Sequence, residues 1–294
     1  MTDKVVVIGG SGFLGSHTAD ELSNRGFKVQ IFDAVESPWL RADQTMVVGD
    51  ILDGDALRQA LQGAKAVYHF AGISDINEAS ERPFDTVNLN VLGTVSVVEA
   101  VCDLKIPRFM YASTLYVYSS YGSFYRASKQ ASETLIEAYH EISQFDYTFM
   151  RYGSLYGPRA QEWNGIRNYV EEIIRSKSLK YDGTGKERRE YIHASDAARL
   201  SVDLLTDDYR NQAVTITGSQ VLTSHELIEL IFEIVGLEEK VEYLPEEKAK
   251  YHYSSTPYRY TPKQARKLIP KEFIDIGEGV LELVGEISPL IQGK

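Results

Sequence analysis

Short apolar runs alternate with longer amphipathic stretches over the first two thirds of the chain, most clearly up to about Tyr152. The runs predict strands at residues 4–8, 28–32, 45–49, 66–70, 108–113 and 147–152. Between them, apolar residues recur three and four positions apart, as Val91, Val95, Val98 and Val101 do before Pro107, which predicts helices. This alternation favours a parallel sheet covered by helices on both faces. We therefore predict an α/β fold with a doubly wound parallel sheet.

After about Tyr152 the alternation breaks up. We predict a helix near residues 166–177, a returning strand at 213–217, and a helix with a capping box at Thr223 and Glu226 that Gly236 stops. The expected domains are a cofactor-binding domain over 1–153, to which the chain returns at about 191–217, and a smaller interwoven substrate lobe at 154–190 and 218–294. Since no linker is visible, the two should pack tightly.

Composition narrows the class of protein. With 294 residues, 43% hydrophobic and 25% charged, the chain has the values of a globular protein. No signal peptide or membrane-spanning segment is apparent, so we expect a soluble protein. The one cysteine, Cys102, excludes a disulfide framework and a multi-cysteine metal site. We therefore expect a cytoplasmic protein without a metal. The net charge of -11 disfavours nucleic acid and anionic membrane as partners.

A glycine-rich turn follows the first predicted strand. Residues 5–15 read VVVIGGSGFLG, which contains Gly10-x-Gly12-x-x-Gly15 and, from Gly9, an overlapping Gly-x-x-Gly-x-x-Gly frame. Such glycines permit a tight turn, approach of the main chain to a pyrophosphate, and close packing of helix on strand. The context of strand, turn and helix predicts a dinucleotide cofactor whose phosphates face the helix N-terminus.

Asp33 ends the second predicted strand, and no arginine immediately follows it. A carboxylate there accepts hydrogen bonds from both ribose hydroxyls and repels a 2′-phosphate. Asp33 therefore favours NAD over NADP.

Tyr125 and Lys129 lie four residues apart at the start of the helix after the fifth strand, so they share a helix face near the strand end where ligands bind. A free tyrosine has a pKa of about 10, and a nearby ammonium and an oxidised nicotinamide both favour the phenolate. Tyr125 would take a proton from a substrate hydroxyl as hydride leaves the same carbon. Thr114, at the end of the fifth strand, would donate to the substrate oxygen and help to hold Tyr125.

Further motifs surround these residues. They are GGSGFLGSH at 9–17, GDI around Asp50, HFAG at 69–72, NVLGT at 90–94, YAST at 111–114, RYGSLYGPR at 151–159 and RREYIHASD at 188–196. In these motifs and their order, the sequence resembles the extended short-chain dehydrogenase/reductase family, in particular its NAD-dependent nucleotide-sugar epimerase/dehydratase branch. The resemblance is strong over residues 5–218 and looser beyond. It implies a Rossmann domain, bound NAD and a nucleotide-sugar substrate.

The resemblance also implies roles for matching positions. Thr114, Tyr125 and Lys129 would carry the chemistry. The implied cofactor-binding residues are Gly9, Gly12, Phe13, Leu14, Gly15, Asp33, Asp50, Ile51, Phe70, Ala71, Gly72, Asn90, Tyr125 and Lys129. The implied substrate-binding residues are Thr114, Tyr116 and Arg189. Arg189 would contact the diphosphate, the alternative being a solvated arginine. A homodimer through the helices carrying Asn90–Val101 and Tyr125–Ala138 is implied by resemblance alone.

The chain departs from the family's pattern beside the active-site threonine. Dehydratases of the family have an Asp-Glu pair directly after it, where this chain has Leu115 and Tyr116. Elimination of water is therefore disfavoured. The loop from Thr114 to Tyr125 is also shorter than is usual in the family, so the pocket would be more open, or completed by Tyr116, Tyr118 and Tyr121.

The leading hypothesis is an NAD-dependent epimerase of a nucleotide-activated sugar that passes through a transient keto-sugar. An alternative is an NAD(H)-dependent keto-sugar reductase or alcohol dehydrogenase that uses the same residues. A further alternative is a non-catalytic dinucleotide-sensing protein. Residues 248–260 interleave basic and aromatic side chains, and we interpret them as the surface of the substrate lobe, where an aromatic could stack on a nucleotide base.

Overall fold

The computed structural model describes residues 3–244, 252–257, 265–268 and 270–292. The strands, numbered in chain order, are β1 (Lys4–Ile8), β2 (Lys28–Asp33), β3 (Thr45–Val48), β4 (Ala66–His69), β5 (Arg108–Thr114), β6 (Asp146–Tyr152), β7 (Ser154–Tyr156), β8 (Leu179–Tyr181), β9 (Arg188–His193), β10 (Gln212–Ile216), β11 (Val221–Thr223), β12 (Val241–Tyr243) and β13 (Ala265–Leu268).

The helices are α1 (Phe13–Asn24), α2 (Gly54–Leu61), α3 (Ile76–Glu81), α4 (Pro83–Thr86), α5 (Gly93–Asp103), α6 (Ser123–Ser143), α7 (Gly165–Ser176), α8 (Ala194–Asp203), α9 (Ser224–Val235) and α10 (Ile276–Gln292). A π-helical turn (Val87–Leu92) leads into α5, and short 3₁₀ turns follow β5 (Leu115–Tyr118) and α8 (Asp207–Tyr209). Within the described ranges, every helix is too short or too polar to cross a bilayer.

The large sheet has eight strands in the order β13-β10-β6-β5-β4-β1-β2-β3, and every neighbouring pair is parallel. The doubly wound parallel sheet predicted from the sequence is thereby confirmed. The strand order reverses between β1 and β4, and ligands of such sheets bind in the crevice at the carboxyl ends of the strands at this point. The glycine turn after β1 opens there.

Helices cover both faces of the large sheet. Val5 and Val7 of β1 belong to an apolar cluster shared with α1 and α8, whereas Val6 and Ile8 belong to one shared with α2, α5 and α6. Successive strand residues point to opposite faces, so all four are buried. Burial on both faces explains why the strand is apolar without alternation.

The second half of the chain forms a smaller apolar cluster around α7, α9 and α10. Two small sheets lie here, β11-β9-β7 and β12-β8. Parts of this half return to the large sheet. The helix α8 packs against α1, and β10 and β13 extend the edge of the sheet. The strand β13 belongs to the large sheet, although it lies inside the 218–294 range that we assigned to the substrate lobe. The expected domain boundaries remain a prediction.

The capping box predicted for α9 is confirmed. Thr223 Oγ1 accepts from the amide of Glu226 at 3.1 Å, the carboxylate of Glu226 accepts from the amide of Thr223 at 2.7 Å, and Gly236 ends the helix with a φ of +73°.

We predict that Thr223→Ala lowers the free energy of unfolding by about 1 kcal/mol, because one helix N–H loses its acceptor. Urea unfolding followed by circular dichroism measures this change. Thr223→Ser keeps the hydroxyl and should stay close to the wild type. Equal losses in the two variants would contradict this account of the cap.

Candidate active site

The turn between β1 and α1 forms a cradle in front of the helix. Gly9 has a φ of +82°, and a Cβ there would lie 2.5 Å from the amide nitrogen of Ala71, while one on Gly15 would overlap the carbonyl oxygen of Gly9. At Gly12 a Cβ would meet that oxygen at an ordinary 3.4 Å. Gly12 is also the N-cap and has no side chain to cover the first N–H groups of α1. These groups are suited to bind a pyrophosphate.

Asp33 lies beside this cradle at the end of β2. Its Oδ2 accepts from the amide of Ser11 at 2.9 Å, and its Oδ1 accepts from the amide of Val35 at 3.3 Å. Each carboxylate oxygen has a second lone pair for a ribose hydroxyl. The glycine cradle and this carboxylate therefore fit an adenine dinucleotide with a free 2′-hydroxyl.

Phe13 and Leu14 lie in the first turn of α1 with their side chains in the protein interior. Phe13 packs with Ala160 and Ala194, and Leu14 joins the cluster beneath α1 and α8. Their contribution to a cofactor site would come from main-chain N–H groups rather than from side chains.

Asp50 and Ile51 follow β3. The Asp50 carboxylate accepts from the amide of Leu52 at 2.9 Å. Ile51 is buried so closely against Gly93 that a Cβ on this glycine would overlap the isoleucine side chain. The structure thus places both residues at the carboxyl end of the large sheet.

Phe70, Ala71 and Gly72 follow β4, and Asn90 fixes the chain just after them. Asn90 accepts from the amide of Ile73 at 2.7 Å and donates to the Ile73 carbonyl and to the hydroxyl of Ser128 on α6. Asn90 lies on the π-helical turn, a local irregularity that is frequent at functional sites. It links the strand end to the helix that bears Tyr125.

Thr114, Tyr125 and Lys129 meet where β5 ends and α6 begins. The Thr114 hydroxyl faces Tyr125, where it favours the phenolate, and it accepts from the amide of Tyr116 at 3.2 Å. The Lys129 ammonium donates to the carbonyl of Ala112 at 2.9 Å and lies 5.9 Å from the centre of the Tyr125 ring.

Burial dominates the ionisation of this group. It raises the pKa of Tyr125 to about 12, although the hydrogen bond from Thr114 favours the phenolate, and it lowers the pKa of Lys129 to about 8, against the attraction of Glu133. The sequence led us to expect that Lys129 favours the phenolate. In the structure burial outweighs that effect, because the ammonium points to Ala112 and stays nearly 6 Å from the ring.

Tyr116 forms an aromatic wall beside Tyr125 with two residues that we did not predict as site residues. The Tyr116 ring lies 6.2 Å from that of Tyr125 and 4.6 Å from that of Tyr253, and its hydroxyl hydrogen bonds to Nδ1 of His252 at 2.9 Å. His252 and Tyr253 belong to the aromatic segment noted in the sequence, of which residues 248–251 and 258–260 lie outside the described ones.

Arg189 is packed among tyrosines, which argues against a solvated arginine. Its guanidinium lies 4.8 Å from the centre of the Tyr253 ring. Burial opposes its charge, but Tyr116, Tyr253 and Tyr191 more than offset this, so the pKa of Arg189 is raised. An arginine placed near Tyr116 in this way is suited to bind an anionic group.

The other two loop tyrosines lie in different surroundings, and whether they complete the pocket stays a prediction. The Tyr118 hydroxyl bonds to Arg151, which is ion-paired with buried Glu133, and Tyr121 is 45% exposed. The sequence analysis did not predict Arg151 and Glu133 as residues of the site.

Two features of the sequence could have indicated them. Glu133 follows Lys129 by four residues on the same helix, and Arg151 is a charged residue within the apolar run of β6.

Comparisons with known proteins show what this chain is similar to in sequence and in fold. The model of the NAD dependent epimerase/dehydratase family matches residues 5–216. A putative UDP-glucose 4-epimerase of Methanocaldococcus jannaschii is 25% identical over 95% of this chain and 97% of its own. A dTDP-glucose 4,6-dehydratase of an Actinoplanes species is 26% identical over 96% of each. The fold matches the crystal structure of Thermotoga maritima UDP-glucose 4-epimerase with UDP-glucose, with a TM-score of 0.86 at 21% identity over 98% of this chain and 99% of the other.

We predict that Gly12→Ala weakens NAD binding at least tenfold and leaves the melting temperature nearly unchanged, because the new methyl has room in the fold but projects where the phosphates approach. Gly15→Ala should lower the melting temperature as well, since its methyl overlaps the Gly9 carbonyl. Calorimetric titration with NAD and thermal unfolding measure the two effects. Unchanged NAD affinity in Gly12→Ala would show that the cradle does not hold the cofactor.

Proposed function

The chain belongs to the NAD dependent epimerase/dehydratase family, and on this premise we propose that it is an NAD-dependent epimerase of a nucleotide-activated sugar. The observation that carries the proposal is the meeting of Thr114, Tyr125 and Lys129 at the crevice that the glycine cradle opens. Relatives named for UDP-glucose and dTDP-glucose support a nucleotide sugar as substrate.

The residues after Thr114 favour epimerisation over dehydration. Leu115 is fully buried, and Tyr116 has a phenol that burial holds protonated by raising its pKa. Neither side chain replaces the acid and base that remove water from a sugar in dehydratases. The proposed reaction therefore changes the configuration of one carbon and keeps the composition of the substrate.

Tyr125 is the proposed acid and base. It takes the proton of a ring hydroxyl while hydride leaves the same carbon and a carbonyl forms. NAD, which the glycine cradle and Asp33 would hold, would supply the acceptor and the donor of this hydride. After the keto-sugar has turned in the pocket and its other face has been reduced, Tyr125 would return the proton to the oxygen, so that no net oxidation remains. Lys129 and Thr114 would favour the phenolate of Tyr125. Each unit by which they lower the pKa of Tyr125 stabilises the phenolate by about 1.4 kcal/mol relative to the phenol.

Arg189 is the proposed anchor for the diphosphate. Its guanidinium lies against tyrosine rings, at the aromatic wall beside Tyr125. A planar guanidinium binds two phosphate oxygens at once, and the neighbouring phenols add hydrogen-bond donors. This contact would hold the nucleotide while the sugar turns.

We predict that Tyr125→Phe loses activity by about 10²–10⁴-fold and retains NAD binding, because only the proton-transferring oxygen is removed. The assay incubates the protein with UDP-, dTDP-, GDP- and CDP-sugars and follows isomers by NMR and reduced NAD by absorbance. Tyr209→Phe serves as the control, because Tyr209 lies before the amino end of β10, at the end of the large sheet away from the site. This variant should keep wild-type activity.

The outcomes separate the alternatives. Isomers without accumulation of reduced NAD support the epimerase. Stoichiometric formation of reduced NAD would identify a keto-sugar reductase or alcohol dehydrogenase instead. Full activity in Tyr125→Phe would remove this tyrosine from the mechanism.

We also propose that the protein is a homodimer through the side that carries α5 and α6. Apolar side chains are exposed on these elements: Leu92, at the entry to α5, is 51% exposed, and Phe124 and Ile142 of α6 are 45% and 78% exposed. Association of two copies would remove this apolar surface from water.

We predict that Leu92→Asp converts the dimer to a monomer, because it places a charge in an apolar interface. Light scattering coupled to size-exclusion chromatography measures the mass. Leu281→Asp, at a leucine of α10 that is 59% exposed, is the matched control and should remain dimeric. A monomeric wild type, or a dimer that tolerates Leu92→Asp, would contradict the proposed interface.

A further inference from the structure

An ion pair is buried behind the catalytic lysine, and the mechanism above does not use it. Glu133 and Arg151 are 3% and 1% exposed. Arg151 donates to both carboxylate oxygens of Glu133, at 2.9 and 2.6 Å, and Ser113 donates to the first of them at 2.6 Å. A carboxylate that accepts three such bonds is fixed in place.

Glu133 takes part in a regular series of contacts between β5 and α6. Lys129 and Glu133 lie four residues apart on α6, on the face that also carries Tyr125 one turn earlier. The carbonyl of Ala112 accepts from Lys129, the hydroxyl of Ser113 donates to Glu133, and the hydroxyl of the next strand residue, Thr114, faces Tyr125. Three consecutive strand positions thus hold three successive turns of one helix face.

The charges around Lys129 are few. The ring of Tyr111 on β5 lies 4.9 Å from the ammonium, and its pKa is raised by burial, so it stays neutral. His69 on β4 is also neutral, because burial and Lys129 lower its pKa to about 3. Tyr125 on α6 holds its proton at rest. Arg151 on β6 directs its charge at Glu133, whose carboxylate attracts Lys129.

We propose that Glu133 is a positioning residue of the active site: held by Arg151 and Ser113, its carboxylate keeps the side chain of Lys129 an ammonium. Burial alone favours the neutral amine, which would have no charge to stabilise a phenolate on Tyr125. Arg151 stabilises Lys129 indirectly, because it keeps the buried carboxylate in one orientation. The catalytic consequence rests on the proposed function, whereas the protonation of Lys129 does not.

The test is to titrate Lys129 directly. Protein labelled with ¹³C at the lysine ε-carbons is followed by NMR from pH 6 to 11, and the signal of Lys129 is assigned by its loss in Lys129→Met. The wild-type midpoint is expected at about 8. Glu133→Gln keeps the shape and removes the charge, and should lower the midpoint by about one pH unit or more. Glu133→Asp retains the charge and should stay nearer to the wild type.

Thermal unfolding accompanies each titration, because Glu133→Gln leaves Arg151 buried without its partner. If that variant does not fold, Glu133→Gln/Arg151→Met removes both charges and should still lower the midpoint. An unchanged midpoint in the folded charge-removing variant would overturn the proposal and leave the pair a purely structural contact.

The active enzyme provides a second measurement. In Glu133→Gln the alkaline limb of kcat should move to lower pH together with the NMR midpoint, while KM for the nucleotide sugar stays near the wild-type value. A uniform loss of kcat at every pH, without a shift of the limb, would count against the proposal. If the wild type converts no nucleotide sugar, the proposed function fails, and the NMR titration still decides the role of Glu133.

Discussion

The contact between the end of β5 and the first turns of α6 is the constraint on which the site depends. A strand in the centre of a parallel sheet cannot shift along its axis without breaking its hydrogen bonds to both neighbours, β4 and β6. Its last residues are therefore fixed, and each holds a polar side chain of α6. The same sheet positions the glycine turn after β1, so this turn and the group formed by Thr114, Tyr125 and Lys129 share one rigid frame.

Burial gives this site its electrostatic character. A phenol with a raised pKa, an amine with a lowered pKa and the carboxylate of a buried ion pair follow one another along one face of α6. Removing charges from water is costly, and the dense hydrogen bonding around Glu133 offsets this cost. A change of charge in this site has a large effect on the neighbouring ionisable groups, because little water screens it. An enzyme that holds a reactive keto-sugar through one turnover benefits from such a dry pocket.

The sequence predicted the large sheet well because its strands are buried on both faces and so form continuous apolar runs. The predicted runs at 28–32 and 108–113 differ from β2 and β5 by one residue each. The capping box of α9 was equally visible, since it is a local pattern. The strands β7, β9 and β11 pair over long sequence separations, and β7 and β11, with three residues each, leave no such signature.

The site was predictable where chemistry follows a local motif. The glycine turn, Asp33, Thr114, Tyr125 and Lys129 each have a characteristic spacing and position along the chain. The residues missed depend on tertiary contacts. His252 is over 100 residues away from Tyr116, to which it bonds, and Glu133 has the sequence appearance of a surface residue on an amphipathic helix until Arg151 is placed beside it.

The central claim is that the reaction is a transient oxidation in which the hydrogen of the inverted carbon returns to it. UDP-glucose and UDP-glucuronic acid are incubated with the NAD-loaded protein in D₂O, and the products are analysed by NMR and mass spectrometry. We predict an inverted isomer that carries no deuterium on carbon. Deuterium at the inverted carbon would contradict the account, because the hydrogen would then have left as a proton and exchanged with the solvent.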